Sequence, residues 1–82
     1  MSYEKVMQAR KTIIGTKQTV KAIRAGIVME VIFAHDAEGR IIAPAMEAAE
    51  QHSIPVFYVD SRKKLGEACG IEVGTAVVAI TE

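Results

Sequence analysis

The chain has 82 residues, half of them apolar, with ten acidic and ten basic side chains and a single cysteine, Cys69. That length suits one domain spanning residues 1–82, an internal disulfide is excluded, and no apolar run approaches the ~18 residues a membrane helix needs. The charged start Met1-Ser2-Tyr3-Glu4-Lys5 leads into no apolar stretch, so the expected compartment is the cytoplasm.

Formal net charge is zero, which weighs against a uniformly basic nucleic-acid binder. The charges are nevertheless segregated. From Lys5 to Met29 there are six basic residues (Lys5, Arg10, Lys11, Lys17, Lys21, Arg24) and no acidic one. From Glu30 to Asp60 there are six acidic residues and only Arg40 is basic, after which Arg62, Lys63 and Lys64 form a second basic cluster. A dipolar chain of this kind can attract phosphate on one side while remaining neutral overall.

Ser2 is placed to cap a first helix with Glu4 in its opening turn, and Tyr3, Val6 and Met7 mark its apolar face through about Lys11. Thr12-Ile13-Ile14 reads as a short strand. Gly15-Thr16 turns the chain into a second helix, with Thr16 the natural N-cap, Thr19, Val20 and Ile23 inward, and Gly26 as the stop. Val28 to Ala34 is the longest strand signal and is apolar on both faces, as in a strand covered on both sides. His35 to Arg40 is a polar loop. Pro44 fits the first turn of a third helix, so Arg40 to Ala43 is expected as an irregular lead-in, with Ala45, Met46 and Ala49 on the inner face. Pro55 opens the strand Val56-Phe57-Tyr58-Val59. Ser61 caps a fourth helix with Leu65, Ala68 and Cys69 inward and Gly70 as its terminator. Ile71 to Gly74 is a loop, and Thr75 to Thr81 a last buried strand. Strands alternating with helices predict an α/β fold, a three-layer α/β/α sandwich with a mixed sheet of about four strands.

Two segments stand out chemically. In the second helix Lys17, Lys21 and Arg24 fall within about 60° of one another, with Gln18 at the edge of the stripe. The free N–H groups and positive dipole end of that helix favour anions, Gly15 permits close approach of a ligand, and Lys and Gln can bond guanine and adenine edges. The same pattern also describes an ordinary solvated helix face. In the loop Ile71-Glu72-Val73, flanked by Gly70 and Gly74, the two branched residues make either an exposed tip able to stack on unpaired bases or a connection tucked into the core. Gly15-Thr16-Lys17 lacks P-loop spacing, and His35 and His52 give no metal-ligand spacing with Cys69. Asp36, Glu38 and Asp60 are loop carboxylates with no partner that sequence identifies. No catalytic, cofactor-binding or metal-binding residue is expected.

The run from Ile54 to Val73, with Lys63-Lys64-Leu65-Gly66-Glu67-Ala68-Cys69-Gly70-Ile71-Glu72-Val73 at its heart, resembles the signature stretch of the ribosomal protein L-seven-Ae family, which binds kink-turn RNA. Gly15-Thr16-Lys17-Gln18-Thr19-Val20-Lys21 resembles that family's Gly-x-Asn-Glu-x-x-Lys, and Ala34-His35-Asp36-Ala37 resembles its Ala-x-Asp-Ala. The likeness runs through essentially the whole chain in order. It implies that the second helix enters the major groove at tandem sheared G·A pairs, where Lys17 and Gln18 stand for the Asn-Glu pair that reads guanine and Lys21 for the family's lysine. Gly15 and Thr16 would form the close-approach turn, Ile71, Glu72 and Val73 would cover the bulged bases, and Arg24, Lys63 and Lys64 would meet RNA. The implied partner is a kink-turn in ribosomal RNA, a riboswitch leader or a ribonucleoprotein, bound by a monomer that needs no small-molecule substrate. Two departures are visible: Lys17-Gln18 exchanges an acceptor for added positive charge, and Gly74 stands where family members often carry proline. An alternative reading on the same fold is a protein-interaction adaptor.

Overall fold

Residues 2–82 are described by a computed structural model, in which eight elements follow in the expected alternation. They are α1 (Ser2–Gln8), β1 (Thr12–Ile14), α2 (Thr16–Arg24), β2 (Glu30–Ala34), α3 (Gly39–Gln51), β3 (Val56–Val59), α4 (Arg62–Ala68) and β4 (Val77–Ile80). The four strands form one sheet in the order β1-β4-β2-β3. β4 is antiparallel to both neighbours, whereas β2 and β3 are parallel. The sheet is therefore mixed. β1, β2 and β3 all end at one rim, the rim where β4 begins.

The apolar runs in β2 and β4 follow from this topology. Side chains alternate between faces along a strand, and here both faces are covered. Val31, Phe33, Val77 and Ala79 pack under α2 and α3, against Ala22, Ile23, Ala45, Ala48 and Ala49. Ile32, Ala34, Val78 and Ile80 pack on the other side, against Val6 of α1 and Leu65 of α4. The result is the three-layer α/β/α sandwich that the sequence predicts.

Local details depart from the sequence reading. α1 stops at Gln8, short of Lys11, and Met7 is 69% exposed because only Val6 and Tyr3 lie toward the sheet. The side chain of Ser2, and with it the expected cap, lies outside the described residues. β2 starts at Glu30 and β4 at Val77, so both strands are shorter than their apolar runs. The N-cap of α2 is Gly15 and not Thr16. Helix α3 begins at Gly39, making Arg40 to Ala43 helical and leaving Pro44 inside. The extended Glu38 caps that helix, its carbonyl accepting from the N–H groups of Ile41 and Ile42. The first turn thus forms ahead of the proline, which then removes one helical bond, to the carbonyl of the exposed Arg40.

The layer of α1 and α4 is fastened at one end by a polar lock. The Tyr3 hydroxyl donates to the Asp60 carboxylate, and the Ser61 N–H donates to the Tyr3 oxygen at 3.1 Å. The bond from Tyr3 holds the Asp60 carboxyl below its ordinary value, while desolvation and the bond to Asp60 raise the Tyr3 phenol. A carboxyl depressed in the folded state stabilises above its unfolded pKa and loses that contribution as pH falls through the folded value. Tyr3→Phe should therefore lower the melting temperature at neutral pH, and its gap to the wild type should shrink below about pH 4. Circular-dichroism melts across that range check this, and a gap independent of pH would show that the charged form of Asp60 is not involved.

Candidate nucleic-acid interface

The start of α2 is set by Gly15. Its φ of 101° lies in the region that disfavours L side chains, and a Cβ built there meets nothing within 4 Å. The strain and not crowding thus requires glycine, and the space beside the backbone is open. The Gly15 N–H donates to the Val77 carbonyl at 3.0 Å, and the Gly15 carbonyl accepts from Thr19 at 3.0 Å. These bonds pin the first turn of α2 to the head of β4. Thr19 and Ile23 are fully buried, which turns Lys17, Gln18, Lys21 and Arg24 outward. The Thr19 hydroxyl has no hydrogen-bond partner among the described residues.

The exposed stripe spans two flanks of the helix. Gln18 and Lys21 border an apolar groove beside β1, floored by Ile13, Ile14, Ala22 and Ala25. Arg24 lies on the opposite flank, in the groove toward Arg40 and Pro44 of α3. Ion pairs divide the basic residues further. Lys5 pairs with Glu30 at 3.2 Å and lies over the Phe57 ring, and Lys11 pairs with Glu82 at 3.0 Å. Among the described residues Lys17, Lys21, Arg24 and Lys63 form no ion pair. Among the described residues the unpaired basic side chains of the N-terminal half are therefore those of α2, together with Arg10 between α1 and β1.

The loop after α4 reaches the same rim by doubling back. Ile71 N–H donates to the Gly66 carbonyl at 3.1 Å, and Thr75 N–H to the Arg62 carbonyl at 3.1 Å. The chain thus retraces α4 from its end to its beginning. It runs so close that a Cβ on Gly66 would lie 2.0 Å from the Val73 carbonyl oxygen. Along this return Val73 is 70% exposed, Glu72 is exposed and Ile71 is half-buried. Of the two readings open to this loop, an exposed tip describes Val73, and partial tucking describes Ile71. The rim is stitched by backbone bonds: Gly15 to Val77, Ala34 to Ala76 at 2.9 Å, and His35 to Val59 at 2.8 Å. The first turn of α2, Gly15 to Gln18, thereby shares one rim with the end of the tip loop, where Thr75 N–H meets the Arg62 carbonyl, while Ile71 lies further along α4, beside Gly66.

The start of α4 adjoins this rim. Ser61 caps it, accepting from Lys64 N–H at 3.2 Å, and Asp36 accepts from Arg62 N–H at 2.9 Å. Asp36, Arg62, Lys63 and Gly74 line an open cleft of about 330 Å³. Lys63 therefore belongs with the tip loop. Lys64 does not: it lines a separate cleft with Tyr3, Met7 and Glu67, and its ammonium lies 3.9 Å from Asp60. Sequence reasoning missed the parts played by Asp36 and Gly66. A glycine inside a helical pattern is a recognisable signal of close approach, but the partner of Asp36 is 26 residues away and has no signal in sequence. Among the described residues no group of three or more His, Cys, Asp or Glu could hold a metal ion, and no helix is long and apolar enough to cross a membrane.

Comparison with known proteins identifies the family. Residues 2–82 match the ribosomal protein L7Ae/L30e/S12e/Gadd45 family. An RNA-binding protein of Geobacillus sp. strain WCH70 is 60% identical over 80 residues, covering 98% of each chain. RNA-binding protein YbxF of Geobacillus stearothermophilus is 56% identical with the same coverage. Among solved structures, the Giardia lamblia 15.5kD RNA binding protein superposes with a TM-score of 0.83 at 28% identity, covering 98% of this chain and 68% of that one. The chain belongs to the L7Ae/L30e/S12e/Gadd45 family.

The Gly66 contact has a testable sign. Alanine normally stabilises a helix relative to glycine by about 1 kcal/mol. Here the added methyl meets backbone, so Gly66→Ala should instead destabilise by about 1–3 kcal/mol, read from urea unfolding midpoints. A stabilised variant would mean that the loop does not lie on α4.

Proposed function

We propose that this chain is an RNA-binding protein that recognises a kink-turn and holds it in its bent form. The observation that carries the reading is the bond from Gly15 to the Val77 carbonyl, which ties a basic helix start to the head of the strand that the exposed loop carrying Val73 leads into. A helix N-terminus with unpaired lysines suits phosphates and base edges in a groove, and an exposed branched side chain suits unpaired bases. A kink-turn offers both, a helical groove at its G·A pairs and a bulge beside it. The names of relatives at 56–60% identity support RNA as the partner and speak against an enzyme.

In this reading Lys17 donates to guanine O6 and N7, and Gln18 accepts through a neutral amide oxygen. Lys21 lies one turn behind them, Val73 covers the bulge with Ile71 and Glu72 beside it, and Lys63 meets phosphate. Lys64 and Arg24 are peripheral contacts. The protein acts as a cytoplasmic monomer on a structured RNA, either ribosomal or riboswitch-like.

The test is a gel-shift titration with a kink-turn RNA and with the same RNA carrying Watson–Crick pairs in place of its tandem G·A pairs. The expected result is at least tenfold weaker binding to the second, about 1.4 kcal/mol. Each phosphate contact should weaken binding about threefold between 50 and 200 mM salt. Lys17→Ala should lose roughly 1–3 kcal/mol on the kink-turn and less on the control. Weak and equal binding to both RNAs would leave only a basic patch and favour the adaptor reading.

Val73→Asp separates binding from folding. At so exposed a position its stability should stay within about 0.5 kcal/mol of wild type while kink-turn affinity falls. Global unfolding of that variant would assign Val73 to the core.

A further inference from the structure

The rim carries an aromatic feature that the reading above leaves unused. Phe33 of β2 is fully buried. Tyr58, its register partner on β3, lies with its ring centroid 5.9 Å away at an interplanar angle of 37°. His35, two residues after Phe33 on the same face, stacks on Tyr58 at 4.5 Å and 20°. The three rings climb from the core to solvent, where His35 is exposed and Tyr58 is 42% exposed. The Tyr58 hydroxyl also touches the Met46 sulfur at 3.9 Å, and the His35 N–H is held by the Val59 carbonyl. An exposed aromatic pair this firmly held loses little freedom when a further ring is added.

We propose that His35 and Tyr58 form a stacking platform for an unpaired nucleobase of the bound RNA, beyond the kink itself. The inference rests on the RNA-binding reading and deepens it. Three observations favour a base as the occupant. The platform lies on the face of the sheet covered by α2, and it ends at the same rim. It adjoins the segment that leads from the tip loop into β4, because Ala34, next to His35, donates to the Ala76 carbonyl at 2.9 Å. The carboxylates beside it are matched, Asp36 by Arg62 at 3.5 Å and Glu38 by Arg40 at 2.9 Å, while Lys63 across the cleft is free to meet a phosphate. The span from β4 to β3 is two strand spacings, ~10 Å, within reach of a strand leaving the tip loop. Stacking on aromatic rings tolerates any base, so this contact would add affinity with little sequence preference.

The experiment compares a blunt kink-turn RNA with the same RNA carrying a short adenosine overhang on one stem or the other, and repeats the pair on the Watson–Crick control. For the wild type one overhang should tighten binding about tenfold. His35→Ala and Tyr58→Ala should abolish that gain and leave blunt-RNA affinity unchanged, and Tyr58→Phe, which keeps the ring, should retain it. His35→Ala, at an exposed position, keeps the test decisive if Tyr58→Ala destabilises the fold. No gain from either overhang, or a gain that survives His35→Ala, overturns the platform. Loss of discrimination between blunt kink-turn and control would overturn the kink-turn reading instead, and the overhang gain on the control RNA would still decide the platform.

Discussion

The close passage of the chain over Gly66 is the contact on which the candidate site depends. β4 runs opposite to β2 and β3, so it must begin at the rim where they end. α4 begins at that rim and runs away from it. The connecting loop therefore has to climb back along α4, and it can do so only where the helix presents bare backbone, at the point where a Cβ would meet the Val73 carbonyl oxygen at 2.0 Å. Gly74 repeats the device higher up, where a Cβ would lie 3.2 Å from Arg62 backbone. The exposure of Val73 and the position of the β4 head both follow, and with the β4 head the anchor for the first turn of α2.

Electrostatics explains how a neutral chain can carry a positive end. The carboxylates of Glu30 and Glu82 are consumed by Lys5 and Lys11, away from the rim, and Asp36 and Ser61 satisfy N–H groups at the start of α4. Exposed pairs of this sort contribute little to stability, typically 0–1 kcal/mol each. Their larger effect is on the field. They cancel charge elsewhere on the surface and leave Lys17, Lys21 and Arg24 on one helix without counter-charges among the described residues.

Much of the fold was legible because its signals are local. The continuous apolar runs in β2 and β4 announced a sheet covered on both faces, Ser61 announced a cap, and Pro55 a strand start. The errors arose where another contact, distant or local, overrides the preference of the residue read. Thr16 and Gly15 are N-caps of similar intrinsic preference, and the bond to the Val77 carbonyl fixes Gly15 in the capping position. Pro44 reads as a first-turn residue, yet Glu38 caps a turn ahead of it. At the candidate site the stripe on α2 was visible from helical spacing alone. That Lys63 and Lys64, adjacent in sequence, serve different clefts was not, because it depends on the rotation of α4 against the sheet.

The central position of β4 also bears on synthesis. Its pairing with β1 joins Thr12 to Ile80, a contact between distant parts of the chain that closes late and slowly. Until residue 80 has been made, β1 and β2 have no strand between them, the Gly15 anchor has no Val77, and the tip loop has nothing to return to. A nascent chain therefore holds its basic helix without the rim that organises it. The candidate RNA-facing rim therefore takes shape only once β4 has been made.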